Sequence, residues 1–182
     1  MLTFKFKSAF ISFMVAACFN YAQDGGKIRF SSMSLGAGIY NGFLKNDSYF
    51  GNEFGGPNLV TDLIFELDGY FFSIYYGSSL EKLDVGEEVY SEINLTMGLK
   101  LLERGPFVLE GHAGLGYFTN RFKIFQTKET TATIGLPIRI KANYFFTPNL
   151  GIGINPNVNI NGTAPIINVN FILVYRNKIY NQ

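Results

Sequence analysis

From Arg29 to Tyr175 apolar and polar residues alternate with a period of two, segment after segment. That period belongs to β-strands with one apolar and one polar face. The cleanest stretch is residues 151–160, where every even position except Pro156 is Ile or Val and every odd position is Gly or Asn. A chain patterned in this way must lay one whole face of a sheet against something apolar, either its own core or lipid.

The pattern divides into eight segments. The first, near residues 31–40, aligns Met33, Leu35, Ala37 and Ile39 against Ser32, Ser34, Gly36 and Gly38. The second, 59–67, sets Leu59, Thr61, Leu63, Phe65 and Leu67 opposite Asp62 and Glu66, and Asp68-Gly69 then signals a two-residue hairpin turn. Tyr70, Phe72, Ile74 and Tyr76 form the third apolar face; Val89, Ile93, Leu95, Met97, Leu99 and Leu101 form the fourth, opposite Glu92, Asn94, Thr96 and Lys100. After the turn at Arg104-Gly105-Pro106, Phe107, Leu109, Ala113, Leu115 and Tyr117 face away from Glu110, His112, Gly114 and Gly116. Ile134, Leu136, Ile138, Ile140, Ala142 and Tyr144 oppose Arg139, Lys141 and Asn143. The Asn-rich seventh segment and the run Ile167, Val169, Phe171, Leu173 and Tyr175 complete the set.

The connections alternate in length: 41–58, 77–88 and 119–130 are long, whereas 68–69, 104–106 and 147–149 are tight, with a moderate one at 161–165. Short turns on one side and longer loops on the other describe a membrane barrel with its turns in the periplasm. The expected fold is therefore all-β: an eight-stranded antiparallel up-and-down transmembrane β-barrel with short periplasmic turns and longer extracellular loops. In that register Tyr70, Phe107, Tyr144 and Tyr175 fall at the periplasmic strand ends and Tyr76 and Tyr117 at the opposite ends, as two aromatic girdles would.

A soluble secreted barrel of the lipocalin type also alternates, but turns its apolar face inward around a ligand. Here the polar face is built mostly of Gly, Ser, Asn and Thr, small enough for the narrow interior of an eight-stranded closed sheet. Charged residues make up 16% of the chain, low for a surface facing water, which favours the membrane barrel. Outside the N-terminus no apolar run approaches the roughly 20 residues of a membrane helix, so a membrane would be crossed by strands. Fifteen basic against fourteen acidic residues leave a formal charge of +1, which argues against nucleic acid as a partner.

The N-terminus carries an export signal in order: Lys5 and Lys7, an apolar run over residues 9–19, then Ala22 before Gln23 and Asp24. The reading is a signal peptide at residues 1–22 and a barrel domain at 23–182. Val15-Ala16-Ala17-Cys18 offers a rival, a lipobox, with Phe19 an atypical follower. Under the first reading the chain's one cysteine is removed with the signal.

Leu136-Pro137-Ile138-Arg139-Ile140-Lys141, then Tyr144-Phe145-Phe146 and the run Thr147-Pro148-Asn149-Leu150-Gly151, resemble the small bacterial outer-membrane β-barrel proteins of the OmpX/OmpA type, and more closely the PorT-like outer-membrane barrel group. The resemblance covers nearly the whole mature chain and implies an outer-membrane location, contact with membrane lipids and lipopolysaccharide, and handling by the barrel insertion machinery. Two departures stand out. Such barrels usually end on an outward aromatic residue, whereas residues 176–182 follow Tyr175; and Pro137 sits within a strand, where a bulge or a gap in pairing is expected.

The interior charges form the one constellation of chemical interest. The turn places Lys100 across from Glu110, and Arg139, Lys141 and Glu66 belong at comparable depth toward the periplasmic half. The expected role is a salt-bridge network filling the lumen; the rival is a proton or ion path. His112, the single histidine, invites a lipid-modifying catalytic role, but it shares its face with Glu110 and has no Ser beside it in sequence. One His and no mature Cys argue against a metal site, and no nucleotide or other cofactor motif is present. Asn94-Leu95-Thr96 and Asn161-Gly162-Thr163 match the N-glycosylation pattern by chance in a bacterial export context. Aromatic residues in two long connections, Phe43, Tyr49, Phe50 and Phe54 in one and Phe122 and Phe125 in the other, mark a candidate extracellular contact surface for an envelope partner. The functional expectation is a non-catalytic outer-membrane barrel serving envelope structure, adhesion or a membrane assembly. Narrow-path transport, lipid modification and a soluble lipocalin-like barrel are the alternatives.

Overall fold

A computed structural model describes residues 28–43, 53–80, 89–124 and 127–177. Eight strands follow in chain order: β1 (Ile28–Phe43), β2 (Glu53–Leu67), β3 (Tyr70–Ser79), β4 (Val89–Arg104), β5 (Phe107–Ile124), β6 (Thr127–Phe145), β7 (Leu150–Asn161) and β8 (Ile166–Arg176). Each pairs antiparallel with its sequence neighbour, and β8 pairs with β1, closing the barrel. Following the register around from Phe30 through Phe65, Phe72, Met97, Ala113, Ile138, Val158 and Ile167 returns to β1 at Asn41, eleven positions on, one of them taken up by the bulge between Phe30 and Ser32. Such a stagger tilts the strands steeply and sets the width of the lumen.

Burial runs opposite to that of a water-soluble barrel. Leu35, Ile39, Leu95, Leu115, Ile134, Leu136, Ile152, Phe171 and Leu173 are exposed, whereas Asp62, Glu92, Arg139, Lys141 and a series of asparagines are buried inside. The outer face is a lipid-facing belt, because no water-exposed surface of this size stays apolar without a covering. Tyr70, Tyr144 and Tyr175 lie exposed at the turn end of this belt and Tyr117 toward its loop end, whereas Phe107 and Tyr76 are half-buried.

The turn end follows the local signals. Asp68 (φ 51°) and Gly69 (φ 84°) both adopt the left-handed backbone that an Asp-Gly hairpin turn requires. Pro137 leaves its mark: the β5–β6 ladder pairs Ala113 with Ile138 and resumes at Gly116 with Gly135, skipping the stretch that contains Pro137. The register does not slip, so the missing N–H produces a gap rather than a bulge. Pro156 does the same between β6 and β7, where pairing stops at Arg139–Asn157 and resumes at Ala142–Ile154.

At the loop end the strands run further than the polarity of the sequence indicates. Residues 119–130, expected as a long connection, are mostly strand: β5 and β6 pair out to Ile124 and Thr127. The β-branched residues Thr119, Thr127, Thr130, Thr131 and Thr133 suit extended backbone whatever their polarity, so the hairpin rises beyond the last β6–β7 pair, Gly135–Asn161.

Candidate functional site

Two apolar layers and the polar network between them fill the lumen. Near the loop end Tyr40, Tyr90, Phe118, Ala164 and Ile166 form one buried cluster, with the Tyr40 and Tyr90 rings 4.5 Å apart and those of Tyr90 and Phe118 5.7 Å apart. Toward the turn end Val108, Phe145 and Val174 belong to a second cluster, and the Arg176 guanidinium lies 3.7 Å from the centre of the Phe145 ring.

The central constellation is built on Asp62 of β2. Its carboxylate receives Lys141 Nζ at 2.9 Å and faces Arg139 Nη1 at 3.1 Å, both from β6. Ser73 of β3 donates its hydroxyl to the other carboxylate oxygen. Arg139 Nη2 in turn donates to Ser73 Oγ (2.6 Å) and to Thr96 Oγ1 of β4 (2.9 Å), while its guanidinium sits 4.7 Å from the centre of the Tyr75 ring. Lys141 also reaches Ser34 Oγ of β1 at 3.5 Å. Strands β2 and β6 are four places apart in the ring of eight, so these bonds span the lumen and tie opposite walls together.

A second, separate centre is Glu92 of β4. Its Oε1 accepts from Tyr90 Oη (3.0 Å), Asn157 Nδ2 (3.0 Å) and Asn168 Nδ2 (2.8 Å), and its Oε2 from Asn94 Nδ2 (3.1 Å) and Asn159 Nδ2 (2.8 Å). Five neutral donors from three strands surround one carboxylate. Asn168 bonds Tyr90 Oη as well (3.0 Å), which couples Glu92 to the aromatic cluster at the loop end.

Of the charges expected inside, Arg139 and Lys141 are brought together by Asp62. Glu110 is buried beside His112, whose Nε2 stands 3.5 Å from Glu110 Oε2 and whose ring stacks on Phe71. Lys100 does pair with Glu110 in the β4–β5 register, but the ladder bulges between Lys100 and Leu102, and the lysine is exposed and bonded to Glu103 at 2.7 Å. Glu66 is exposed too, in register with Arg29 and Phe71 near the turn end. Tyr49, Phe50 and Phe125 lie outside the described residues; Phe43, Phe54 and Phe122 lie on strand backbone whose side chains are likewise outside them. Asn94 and Asn161, the glycosylation look-alikes, are buried in the lumen.

Asp62 and Glu92, the two organising carboxylates, carried a partial signal in sequence. Strand alternation puts both on the polar face, and Tyr90 and Asn94 lie two residues either side of Glu92 on the same strand, but Arg139 and Lys141 sit four strands from Asp62, and Asn157, Asn159 and Asn168 three or four strands from Glu92, beyond any local spacing rule.

Three solved structures share the fold at low identity. Neisserial surface protein A aligns with 84% of this chain and 100% of its own (TM-score 0.67, 12% identity). Ail, the attachment invasion locus protein of Yersinia pestis, aligns with 81% of this chain and 99% of its own (TM-score 0.54, 16% identity). The N-terminal β-barrel domain of Pseudomonas aeruginosa OprF aligns with 80% of this chain and 98% of its own (TM-score 0.55, 10% identity). No protein-family model and no curated protein matches the chain. The architecture is thus that of the small outer-membrane eight-stranded barrels.

Proposed function

We propose that this protein is a non-catalytic integral barrel of the bacterial outer membrane, exported by a signal peptide at residues 1–22 and acting through what it displays outside the cell, as an adhesive or assembly component of the envelope. The observation that carries the reading is the inversion of polarity: an apolar outer belt around a lumen packed with Asp62, Arg139, Lys141 and Glu92, with buried apolar clusters toward the loop end and toward the turn end. An apolar exterior fits lipid, and a packed interior fits a rigid support for loops better than a conduit. His112 gives a hydrolytic role little support, since its ring stacks on Phe71 and its Nε2 faces the Glu110 carboxylate rather than a nucleophile. In this reading β1–β2, β3–β4 and β5–β6 connect on the extracellular side, and lipopolysaccharide, the insertion machinery and an envelope protein are the partners. Ail, which has this fold, is described as an attachment protein and is known in complex with the heparin analogue sucrose octasulfate; adhesion comes to this chain by that analogy.

Membrane fractionation with a heat-modifiability gel tests the proposal. The expected result is recovery in the outer membrane, with faster migration before boiling than after it. Recovery as a soluble periplasmic protein with no mobility shift would overturn it, as would large conductance steps in planar bilayers for the conduit question.

A further inference from the structure

We infer that the Glu92 centre binds an alkali-metal cation inside the barrel, held by the Glu92 carboxylate and the hydroxyl oxygens of Tyr75 and Tyr90. Asp62 and Glu92 are both buried in the lumen, but among the described residues Asp62 alone of the two bonds to cationic side chains. None of the five groups bonded to Glu92 carries a charge. Arg139 reaches the Tyr75 ring, yet its hydrogen bonds and its ion pair go to Ser73, Thr96 and Asp62. A buried carboxylate without a counter-charge beside it is costly to keep ionised.

Gly77 of β3 stands directly across from Glu92 in the β3–β4 ladder and faces the lumen. Its backbone does not require glycine, since positive φ is confined to Asp68, Gly69 and Gly105 among the described residues. What glycine provides there is room. A Cβ on Gly77 would lie 2.7 Å from Tyr90 Oη, 3.1 Å from Tyr75 Oη and 3.3 Å from Glu92 Oε1, so three oxygens gather over bare backbone. Tyr90 Oη is engaged with Glu92 and Asn168. Tyr75 Oη is buried without a hydrogen-bond partner, an arrangement that costs stability unless something else takes up its lone pairs. Asn157 and Asn168, which donate Nδ2 to Glu92 Oε1, each carry an unpartnered Oδ1 as well. Half a turn of either amide exchanges nitrogen for oxygen and adds a neutral ligand.

The ligand set selects the ion. It is all oxygen with one negative charge, and among the described residues no three His, Cys, Asp or Glu side chains gather to hold a metal. A divalent ion is poorly matched by a single carboxylate, and the soft or imidazole ligands of a transition metal are absent from these groups. A monovalent ion neutralises Glu92, and neutral oxygens replace its hydration shell.

The test is equilibrium urea unfolding of the full-length protein in uncharged phosphatidylcholine vesicles, which equilibrates the site whatever the route into the lumen. Potassium or sodium chloride is exchanged for N-methylglucamine chloride at constant ionic strength. A single bound ion predicts that, near saturation, each tenfold rise in alkali cation raises the folding constant about tenfold. Glu92→Gln should abolish the dependence. Tyr75→Phe keeps the ring and removes one ligand, so it should destabilise the protein in potassium or sodium and not in N-methylglucamine. A hydroxyl that is merely unpaired predicts the opposite, a variant at least as stable as wild type in every salt. Asn143→Ala, a lumenal change toward the turn end, should retain the full dependence. Wild-type stability that is the same in all three salts, an undiminished dependence in Tyr75→Phe, or a stronger effect of calcium than of potassium and sodium at equal concentration would overturn the inference.

Discussion

Lys141 Nζ and Asp62 Oδ2 meet at 2.9 Å across the lumen although 79 positions separate the two residues in the chain. Arg139, two residues before Lys141 on the same inward face, reaches the same carboxylate oxygen at 3.1 Å. One anion thus holds two cations of the opposite wall, and Ser73 and Thr96 take up further hydrogen bonds around them.

Removing that anion strands both cations. Asp62→Ala is expected to destabilise the folded barrel by about 3–5 kcal/mol, the cost of leaving buried charge unpaired. Replacing the group as a unit by apolar side chains, Asp62→Leu with Arg139→Met and Lys141→Met, should recover most of the loss, because the desolvation of all three charges disappears together. Urea unfolding in lipid vesicles reads both variants. A single variant as stable as the wild type would show that the triad contributes nothing.

Glu92 makes a different prediction, because its partners are neutral. Glu92→Gln keeps the shape but replaces one acceptor oxygen by an amide donor, which then faces at least two of the donors Tyr90, Asn94, Asn157, Asn159 and Asn168. Each donor left without an acceptor costs about 1–3 kcal/mol. The unfolding midpoint should fall accordingly, and Asn159→Ala should cost less in the Glu92→Gln background than alone. An unchanged midpoint would mean that Glu92 does not organise the asparagines.

The β1–β8 seam offers a steric test. A Cβ on Gly38 would lie 2.0 Å from the Val169 carbonyl oxygen and 2.7 Å from Asn170 Cα, both backbone atoms, whereas on Gly56 the nearest atom is Tyr40 Cε1 at 3.7 Å. Gly38→Ala should therefore impede closure and abolish the fast-migrating unboiled form on gels. Gly56→Ala should retain it. Loss of the folded form in both, or in neither, would count against a seam set by close approach at Gly38.

Phe171, midway along β8, is 74% exposed on the outer belt. If that belt faces lipid, Phe171→Arg should cost about 2–4 kcal/mol, as cationic residues do near the bilayer midplane. On a water-facing surface the same change would stay within about 0.5 kcal/mol. Vesicle unfolding of this variant distinguishes the two environments directly.

The strand pattern, the tight turns at Asp68-Gly69 and Gly105-Pro106 and the gap at Pro137 were legible in the chain, because each rests on a short-range rule: side-chain alternation, positive φ at a turn, a missing N–H. Length and alternation also carried the number of strands and the apolar face of each. The extent of the β5–β6 hairpin was less legible, since threonine-rich polar sequence reads as loop while its β-branched carbons favour strand. What only the tertiary structure decided is which polar residues meet. Arg139 and Lys141 were recognisable as inward charges, yet their partner proved to be Asp62 on the opposite wall, and Lys100, placed across from Glu110 by register, turned outward at a bulge to Glu103. Strand-local rules assign a residue to a face and a rung, but contacts across a lumen depend on the stagger with which the barrel closes, a property of all eight pairings at once.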